Sequence, residues 1–299
     1  MESKKPAVGF VGLGIMGTAL SANLIKAGFP VVGYDIAAQR MDELKRNGGS
    51  AAQSARDVAQ RCEIILTSLP SAAALAATVS GGDGLLAARR KGLLVSECST
   101  LALEDKFAAH AALAAGGITL LDSPLSGTGA QAARKDLLVF SSGERAAYDR
   151  MLPVYEGFAR GSHYLGAFGN GSRMKFVANL LVSIHNVAAA EAMVLAMKAG
   201  LDPAETFKVI SNSGGTSRMF EVRGPSMVAG DYSQAQIRLD LWMKDLSIIA
   251  NFAASLRCPT PLFSASAPYY SAALAQGRES EDTGAVCAVL EGLAGVRRK

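Results

Sequence analysis

The sequence predicts an α/β fold, in which an N-terminal doubly wound parallel sheet precedes an all-helical C-terminal domain built on one long helix. Up to about residue 166, short apolar runs rich in β-branched residues alternate with helical patterns, which is typical of βαβ units. From Ser172 to Ala199 there is no proline or glycine, and most residues are apolar or alanine, which predicts one long helix. Only helical patterns follow it.

Composition indicates a globular chain of two domains. Of its 299 residues, 49% are hydrophobic and 19% are charged. Glycines cluster between Gly166 and Gly171, just before the long helix, and mark the predicted boundary. We therefore expect a dinucleotide-binding domain over 1–166 and an all-helical substrate and oligomerisation domain over 167–299.

Charge and cysteine usage exclude several classes of partner. The net charge is only +4 and the basic residues are scattered, so we expect no nucleic-acid partner. No apolar signal region follows the start, and four separated cysteines with three histidines predict no metal site or disulfide framework, which fits a cytoplasmic protein. The long helix approaches the roughly 20 residues of a membrane span. Its polar side chains would be costly in lipid, so we expect no membrane partner; they are Asn179, His185, Asn186, Glu191 and Lys198.

A glycine-rich turn lies where the first strand meets the first helix. The apolar run 7–11 leads into it, and a helical pattern and a second strand at 31–35 follow. In this context the turn predicts a dinucleotide site, because Gly12 allows a tight turn, Gly14 lets the backbone approach a pyrophosphate and Gly17 lets the helix pack closely. The helix N-terminus then offers N–H groups to the phosphates. The predicted cofactor-binding residues are Gly12, Leu13, Gly14, Ile15, Met16 and Gly17. These features are typical of the Rossmann-type fold.

Asp35 closes the second strand, where a carboxylate accepts hydrogen bonds from the adenosine ribose and repels a 2′-phosphate. Arg40 lies a few residues further on and would soften that preference, but it falls within the next predicted helix. The cofactor is therefore predicted to be NAD rather than NADP.

Four further strands are predicted at 63–70, 93–100, 118–122 and 137–141. Ligands of doubly wound sheets bind beyond the carboxyl ends of the strands. Leu69, Pro70, Ser99, Thr100 and the loop 123–129 fall there. The loop is either a plain polar turn or, through its glycines and hydroxyls, a donor set for a small carboxylate.

One side of the long helix carries polar residues at helical spacing. At about 100° per residue, Lys175, Asn179, Val182 and Asn186 fall on one stripe, which we expect to face a cleft between the domains. Lys175 is either a solvated lysine or a functional one. Lys244, in a later helix, either pairs with Asp240 one turn earlier or has a functional role.

These residues resemble the β-hydroxyacid dehydrogenase family, which includes 3-hydroxyisobutyrate dehydrogenase and tartronate semialdehyde reductase. Four motifs carry the resemblance across nearly the whole chain: the glycine turn 12–17, the segment 122–130, the spacing Gly169-x-Gly171-x-x-x-Lys175-x-x-x-Asn179, and Lys244-Asp-Leu. Two further segments, 183–192 and 219–223, are similar to the L-threonate dehydrogenase subgroup, from which Asn179 departs.

The resemblance implies roles for individual residues. Lys175 transfers the proton and Asn179 holds the substrate, while Ser126, Gly127 and Thr128 bind its carboxylate. Leu69, Pro70 and Thr100 match cofactor-contacting positions, and Lys244 closes over the site. The chain departs from the family pattern at Thr128, Ala178 and Glu97, and these departures put the substrate rather than the reaction in question.

We therefore predict an enzyme that uses NAD to interconvert a small hydroxy acid, similar to 3-hydroxyisobutyrate, glycerate or threonate, and its carbonyl acid. A free lysine, with a pKa near roughly 10.4, is a poor base; burial beside a second cation such as Lys244 would lower that pKa. The alternatives are an NADPH-dependent semialdehyde or glyoxylate reductase, an imine reductase and a non-catalytic dinucleotide-binding protein. The apolar C-terminal segments predict a homodimer or homotetramer.

Overall fold

The computed structural model describes residues 5–298 of the chain. The chain divides into two compact units at the bond between Lys175 and Phe176. The first unit is α/β and the second is helical, which confirms the predicted fold class.

A six-stranded parallel sheet forms the centre of the first unit. Its strands stand in the order β3-β2-β1-β4-β5-β6, so the strand order reverses direction between β1 and β4, as in a doubly wound sheet. The strands are β1 (Val8–Val11), β2 (Val31–Tyr34), β3 (Ser50–Ala51), β4 (Ile64–Thr67), β5 (Leu94–Glu97) and β6 (Thr119–Asp122).

Helices cover both faces of this sheet. They are α1 (Ile15–Lys26), α2 (Ala38–Arg46), α3 (Ala55–Arg61), α4 (Ala72–Ser80), α5 (Leu103–Ala115), α6 (Gly129–Ala133) and α7 (Arg145–Phe158), with a 3₁₀ turn at Leu85–Ala88. Alternate residues of a strand point to opposite faces. Accordingly, Ile64 and Leu66 of β4 belong to a core with α1 and α7, while Ile65 belongs to a second core with α3, α4 and α5.

A second, three-stranded sheet was not predicted. It contains β7 (Leu125–Ser126), β8 (Leu138–Ser141) and β9 (Gly161–Tyr164), in that order. The strand predicted at 137–141 exists, but the expectation that it continues the doubly wound sheet is wrong. The chain turns back after β7, and β8 pairs antiparallel with β7 and parallel with β9.

The predicted long helix is α8 (Asn170–Lys198), and it is continuous across the bond at which the two units divide. By length and composition alone it is apolar enough to cross a membrane, although buried core helices of soluble proteins pass the same test. Its residues Asn179, Ser183 and Asn186 are buried, and burial of polar side chains fits a core helix.

Beyond α8, every named element among the described residues is helical. These elements are α9 (Pro203–Ser211), α10 (Arg218–Ala229), α11 (Leu239–Ser255), α12 (Pro261–Ala275) and α13 (Val286–Ala294), with a 3₁₀ turn at Thr283–Ala285. Asp202 caps α9 by accepting the Glu205 N–H at 2.9 Å, with Pro203 in the first turn, as predicted.

The core of the second unit is built around Trp242 and Tyr270, whose ring centroids lie 6.4 Å apart. The Tyr270 hydroxyl donates to the Ser183 carbonyl oxygen at 2.8 Å and so ties α12 to α8. Arg223 and Asp282 form a buried ion pair at 3.2 Å. Burial lowers the pKa of Arg223, and the attraction of Asp282 opposes that effect.

Candidate functional site

The glycine turn has the backbone geometry that a dinucleotide site requires. Gly12 has a φ of +89°, and a Cβ there would lie 2.2 Å from the Ser68 carbonyl oxygen. A Cβ on Gly17 would lie 2.0 Å from the Gly12 carbonyl oxygen, so only glycine lets α1 pack this closely against the turn. By contrast, Gly14 faces open space, and no side chain among residues 5–298 caps α1 there. The first N–H groups of α1 are therefore accessible to an anion.

Asp35 joins the glycine turn to the end of β2. Its Oδ2 accepts the Leu13 N–H at 2.6 Å and its Oδ1 accepts the Ala37 N–H at 2.8 Å. A carboxylate has about four acceptor sites, so sites remain on Asp35 for ribose hydroxyls. The carboxylate lies at the turn where the sequence places the cofactor.

The loops after β4 and β5 are tied together at the same edge of the sheet. Ser99 Oγ accepts the Leu69 N–H at 2.7 Å, and the Ser99 N–H donates to Glu97 Oε1 at 2.9 Å. Leu69 and Thr100 are half-buried and Pro70 is exposed. The three predicted cofactor positions thus lie on two loops that Ser99 connects.

The predicted carboxylate-binding residues lie between β7 and α6. Gly127 has a φ of +137°, and a Cβ there would lie 2.4 Å from Leu137 Cδ2. Thr128 caps α6 through a capping box: its N–H donates to Gln131 Oε1 at 3.0 Å and its Oγ1 accepts the Gln131 N–H at 3.3 Å. The Thr128 N–H is therefore engaged within the loop, while Ser126 is half-buried at the end of β7.

The start of α8 is held against the ends of β6 and β8. A Cβ on Gly171 would lie 2.3 Å from the Phe140 carbonyl oxygen and 2.6 Å from that of Asp122. Ser172 donates twice to the Asp122 carboxylate, from its N–H to Oδ2 and from its Oγ to Oδ1, each at 2.7 Å. Lys175, half-buried, follows three residues later on the same helix.

A buried lysine beside Asp122, Lys106, was not among the residues predicted to be functional. Lys106 Nζ lies 2.7 Å from Asp122 Oδ1 and 2.7 Å from Glu97 Oε2, and all three side chains are fully buried. Burial alone would lower the pKa of Lys106, but the attraction of Asp122 and Glu97 outweighs it and raises that pKa. Lysines are mostly exposed. The one signal in the sequence was an acidic residue in each of two predicted strands, Glu97 within 93–100 and Asp122 at the end of 118–122.

In the second unit, Asn179 belongs to a small polar group on α8 and α11. Its Nδ2 donates to Asp245 Oδ2 at 2.8 Å, and Lys244 Nζ lies 3.3 Å from Asp245 Oδ1. Asp240, the partner considered for Lys244 one turn earlier, accepts hydrogen bonds from the Arg238 guanidinium. One carboxylate therefore contacts both predicted site residues of this unit.

Comparison with known proteins assigns both parts of the chain. Residues 7–166 match the family described as the NAD binding domain of 6-phosphogluconate dehydrogenase. Residues 169–290 match the family described as NAD-binding of NADP-dependent 3-hydroxyisobutyrate dehydrogenase. The chain thus belongs to the β-hydroxyacid dehydrogenases, and it is an NAD-dependent oxidoreductase of hydroxy acids.

Individual relatives span nearly the whole chain. L-threonate dehydrogenase of Cupriavidus necator is 33% identical over 287 residues, which cover 96% of each protein. NAD-dependent L-serine dehydrogenase of Pseudomonas aeruginosa is 32% identical over 92% of this chain and 94% of the relative. The crystal structure of 3-hydroxyisobutyrate dehydrogenase from Salmonella typhimurium superposes with a TM-score of 0.86 at 33% identity, covering 95% of this chain and 100% of that one.

Proposed function

We propose that Lys175 is the general acid/base of this enzyme. The observation that carries the proposal is the attachment of the first turn of α8 to Asp122, because it fixes the backbone from which Lys175 projects. NAD, when bound, supplies the hydride acceptor for the carbinol carbon. Lys175 then takes the hydroxyl proton as the carbonyl forms, and in the reverse direction it protonates the developing alkoxide.

The other site residues have supporting roles in this proposal. Gly12, Leu13, Gly14, Ile15, Met16 and Gly17 hold the pyrophosphate, Asp35 the ribose, and Leu69, Pro70, Thr100 and Lys244 the rest of the cofactor. Ser126, Gly127 and Thr128 bind the substrate carboxylate. Because the Thr128 N–H is engaged with Gln131, we assign its contribution to the hydroxyl proton. One N–H of Asn179 Nδ2 already donates to Asp245, so Asn179 binds the substrate through its amide oxygen or through the second N–H of Nδ2.

Among small hydroxy acids we favour a threonate-like substrate. The support is the 33% identity to L-threonate dehydrogenase of Cupriavidus necator over 96% of this chain. Glycerate- and 3-hydroxyisobutyrate-like acids stay within the proposal.

A second candidate function is reduction of glyoxylate or a semialdehyde with NADPH. It is supported by the 31% identity to glyoxylate/succinic semialdehyde reductase 1 of Arabidopsis thaliana, which covers 76% of this chain. Asp35 disfavours it, because the carboxylate would repel a 2′-phosphate. The imine reductases that share the fold are only 15–22% identical, a level at which they support the fold alone.

We further propose that residues 1–166 form a dinucleotide-binding domain and residues 167–299 a substrate and oligomerisation domain. The protein is a homodimer or homotetramer in the cytoplasm. It binds neither nucleic acid nor membrane. The second unit exposes large apolar side chains, including Leu195, Leu201 and Leu262, which favours association. Sedimentation at micromolar concentration should give a multiple of 31.0 kDa. A single species at the monomer mass contradicts the oligomer.

The substrate proposal is tested by turnover. The protein is mixed with NAD and, separately, L-threonate, L-serine, glycerate and 3-hydroxyisobutyrate, and NADH formation is followed by absorbance. We expect the highest kcat/KM with L-threonate. If NADH forms only with one of the other acids, that acid is the substrate. If no acid is turned over and the protein reduces glyoxylate with NADPH, the second candidate function is favoured.

A further inference from the structure

A continuous chain of buried polar contacts runs through the first unit, from the loop after β4 to the first turn of α8. The Leu69 N–H donates to Ser99 Oγ, and the Ser99 N–H donates to Glu97 Oε1. Lys106 then bridges Glu97 and Asp122, and Asp122 accepts both donors of Ser172. We call the three ionised members, Glu97, Lys106 and Asp122, the buried triad.

Charge explains how the buried triad holds together. Two carboxylates in a dry interior repel each other, and one would take up a proton unless a cation lay between them. Lys106 supplies that cation at 2.7 Å from each carboxylate. Asp122 is thus ion-paired with Lys106, and a charged carboxylate is a strong acceptor for the N–H groups at a helix N-terminus.

We propose that Lys106, through Glu97 and Asp122, is a positioning residue for Lys175 and for the cofactor loop at Leu69. This inference rests on the proposed role of Lys175. One end of the contact chain fixes the backbone three residues before Lys175, and the other fixes the loop that carries Leu69 and Pro70. The triad thus sets where the proton-transferring group stands relative to the cofactor, and a displacement of about 1 Å can cost roughly 10²-fold in rate.

The proposal predicts a specific pH signature for Lys106→Met. Without the cation, two carboxyl groups face each other in a dry interior, and like charges at short range favour uptake of one proton by the pair at low pH. As the pH rises and that proton is lost, the second charge appears, the two carboxylates repel, and the start of α8 shifts. The ratio of variant to wild-type kcat should therefore fall as the pH rises, by roughly 10²-fold once both carboxylates carry a charge. A ratio that is constant with pH overturns the proposal.

A charge-matched variant separates positioning from simple loss of packing. Glu97→Gln combined with Lys106→Met restores the net charge of −1 that the wild-type triad carries (−1 +1 −1). The double variant should regain a pH profile parallel to that of the wild type, because Asp122 is again the single ionised group. If the fall in kcat at high pH persists in the double variant, the charge argument is wrong.

A third variant carries the test if Lys106→Met does not fold. Ser172→Ala removes only the donor to Asp122 Oδ1 and leaves the triad intact. Its kcat should fall about tenfold, while its affinity for NADH, followed by fluorescence, and its circular dichroism stay at wild-type values. Unchanged kcat in Ser172→Ala overturns the proposal.

The Lys175→Ala background distinguishes failure of this inference from failure of the proposed function. If Lys175 is the acid/base, Lys175→Ala abolishes most turnover, and adding Ser172→Ala should lower the residual rate no further. If the effects of Ser172→Ala and Lys175→Ala on kcat are fully additive, the contact chain does not position Lys175, although Lys175 can still be the acid/base. Near-normal turnover of Lys175→Ala alone instead removes the proposed function on which the inference rests.

Discussion

Asp35 stabilises the glycine turn with both of its carboxylate oxygens, which accept the Leu13 and Ala37 N–H groups. The side chain is therefore part of the glycine turn as well as a candidate partner of the ribose. This double use was not predictable from the sequence, because the position of Asp35 at the end of a strand identifies the ribose role alone. The hydrogen bond to Leu13 depends on how β2 lies beside β1, which is a property of the folded sheet.

Substituting Asp35 tests the cofactor assignment. Asp35→Ser should raise the KM for NAD and lower the preference for NAD over NADP by roughly tenfold or more, since removing a short-range charge repulsion is worth at least about 1.4 kcal/mol. Asp35→Asn is the matched control, because it keeps an acceptor for the Leu13 N–H but loses the charge. It should also lower the preference for NAD over NADP, with a smaller rise in the KM for NAD than Asp35→Ser. Steady-state kcat/KM with each cofactor checks this, and an unchanged ratio in both variants contradicts it.

Lys106 shows the limit of sequence analysis at the same scale. A lysine in a helical pattern reads as a solvated residue, yet Lys106 is fully buried between two carboxylates. Its burial follows from the adjacency of β5 and β6, whose final residues are Glu97 and Asp122. Glycine and aspartate motifs have local signatures, whereas a buried ion pair depends on pairing between residues far apart in sequence.

At the scale of elements, α8 is the helix on which the account depends. The sequence predicts its extent to within two residues, because alanine, leucine and methionine favour helix and no breaker interrupts them. Strand β8 was located equally well but assigned to the wrong sheet. Local composition identifies a strand, while its pairing partner is set by the turn that precedes it.

Gly171 provides the test at this scale. In Gly171→Ala the new Cβ would meet two backbone carbonyl oxygens, which cannot rotate away, so the first turn of α8 must move. We expect the free energy of unfolding to fall by about 1–3 kcal/mol, with a lower kcat. Gly292→Ala, in α13, is the control because its Cβ would face open space; it should be neutral or stabilise by up to about 1 kcal/mol. Urea unfolding compares the two, and equal effects would contradict the close approach at Gly171.

For the whole molecule, the doubly wound sheet followed by helices was predictable because short apolar runs alternate with helical patterns up to about residue 166, and only helical patterns follow. The raised pKa values of three buried thiols were not predicted from the sequence. Burial raises the pKa of Cys62 to about 11, and burial together with Glu97 raises that of Cys98 to about 12. Burial likewise raises the pKa of Cys287 to about 12.

These thiols predict how stability depends on pH. Each keeps its proton in the folded chain, whereas in the unfolded chain it ionises from about pH 9. The folded state then binds more protons, so stability is fully present below about pH 9 and falls as the pH rises towards 11–12. The Tm should decline steadily over this range. Cys98→Ala should make the decline in Tm with pH less steep. Cys258→Ala, which removes an exposed thiol, should leave the decline unchanged. A Tm that does not depend on pH contradicts the role of the buried thiols.

The turnover of Lys175→Ala with NAD and the best acid of the substrate panel tests directly whether Lys175 is the acid/base. We predict that kcat falls by about 10²–10⁴-fold, the usual contribution of a positioned acid/base, while NADH binding followed by fluorescence is retained. Lys208→Ala, an exposed lysine of α9, is the control and should turn over at the wild-type rate. A Lys175→Ala variant that binds NADH and turns over near normally would contradict the mechanism and return Lys175 to the role of a solvated lysine.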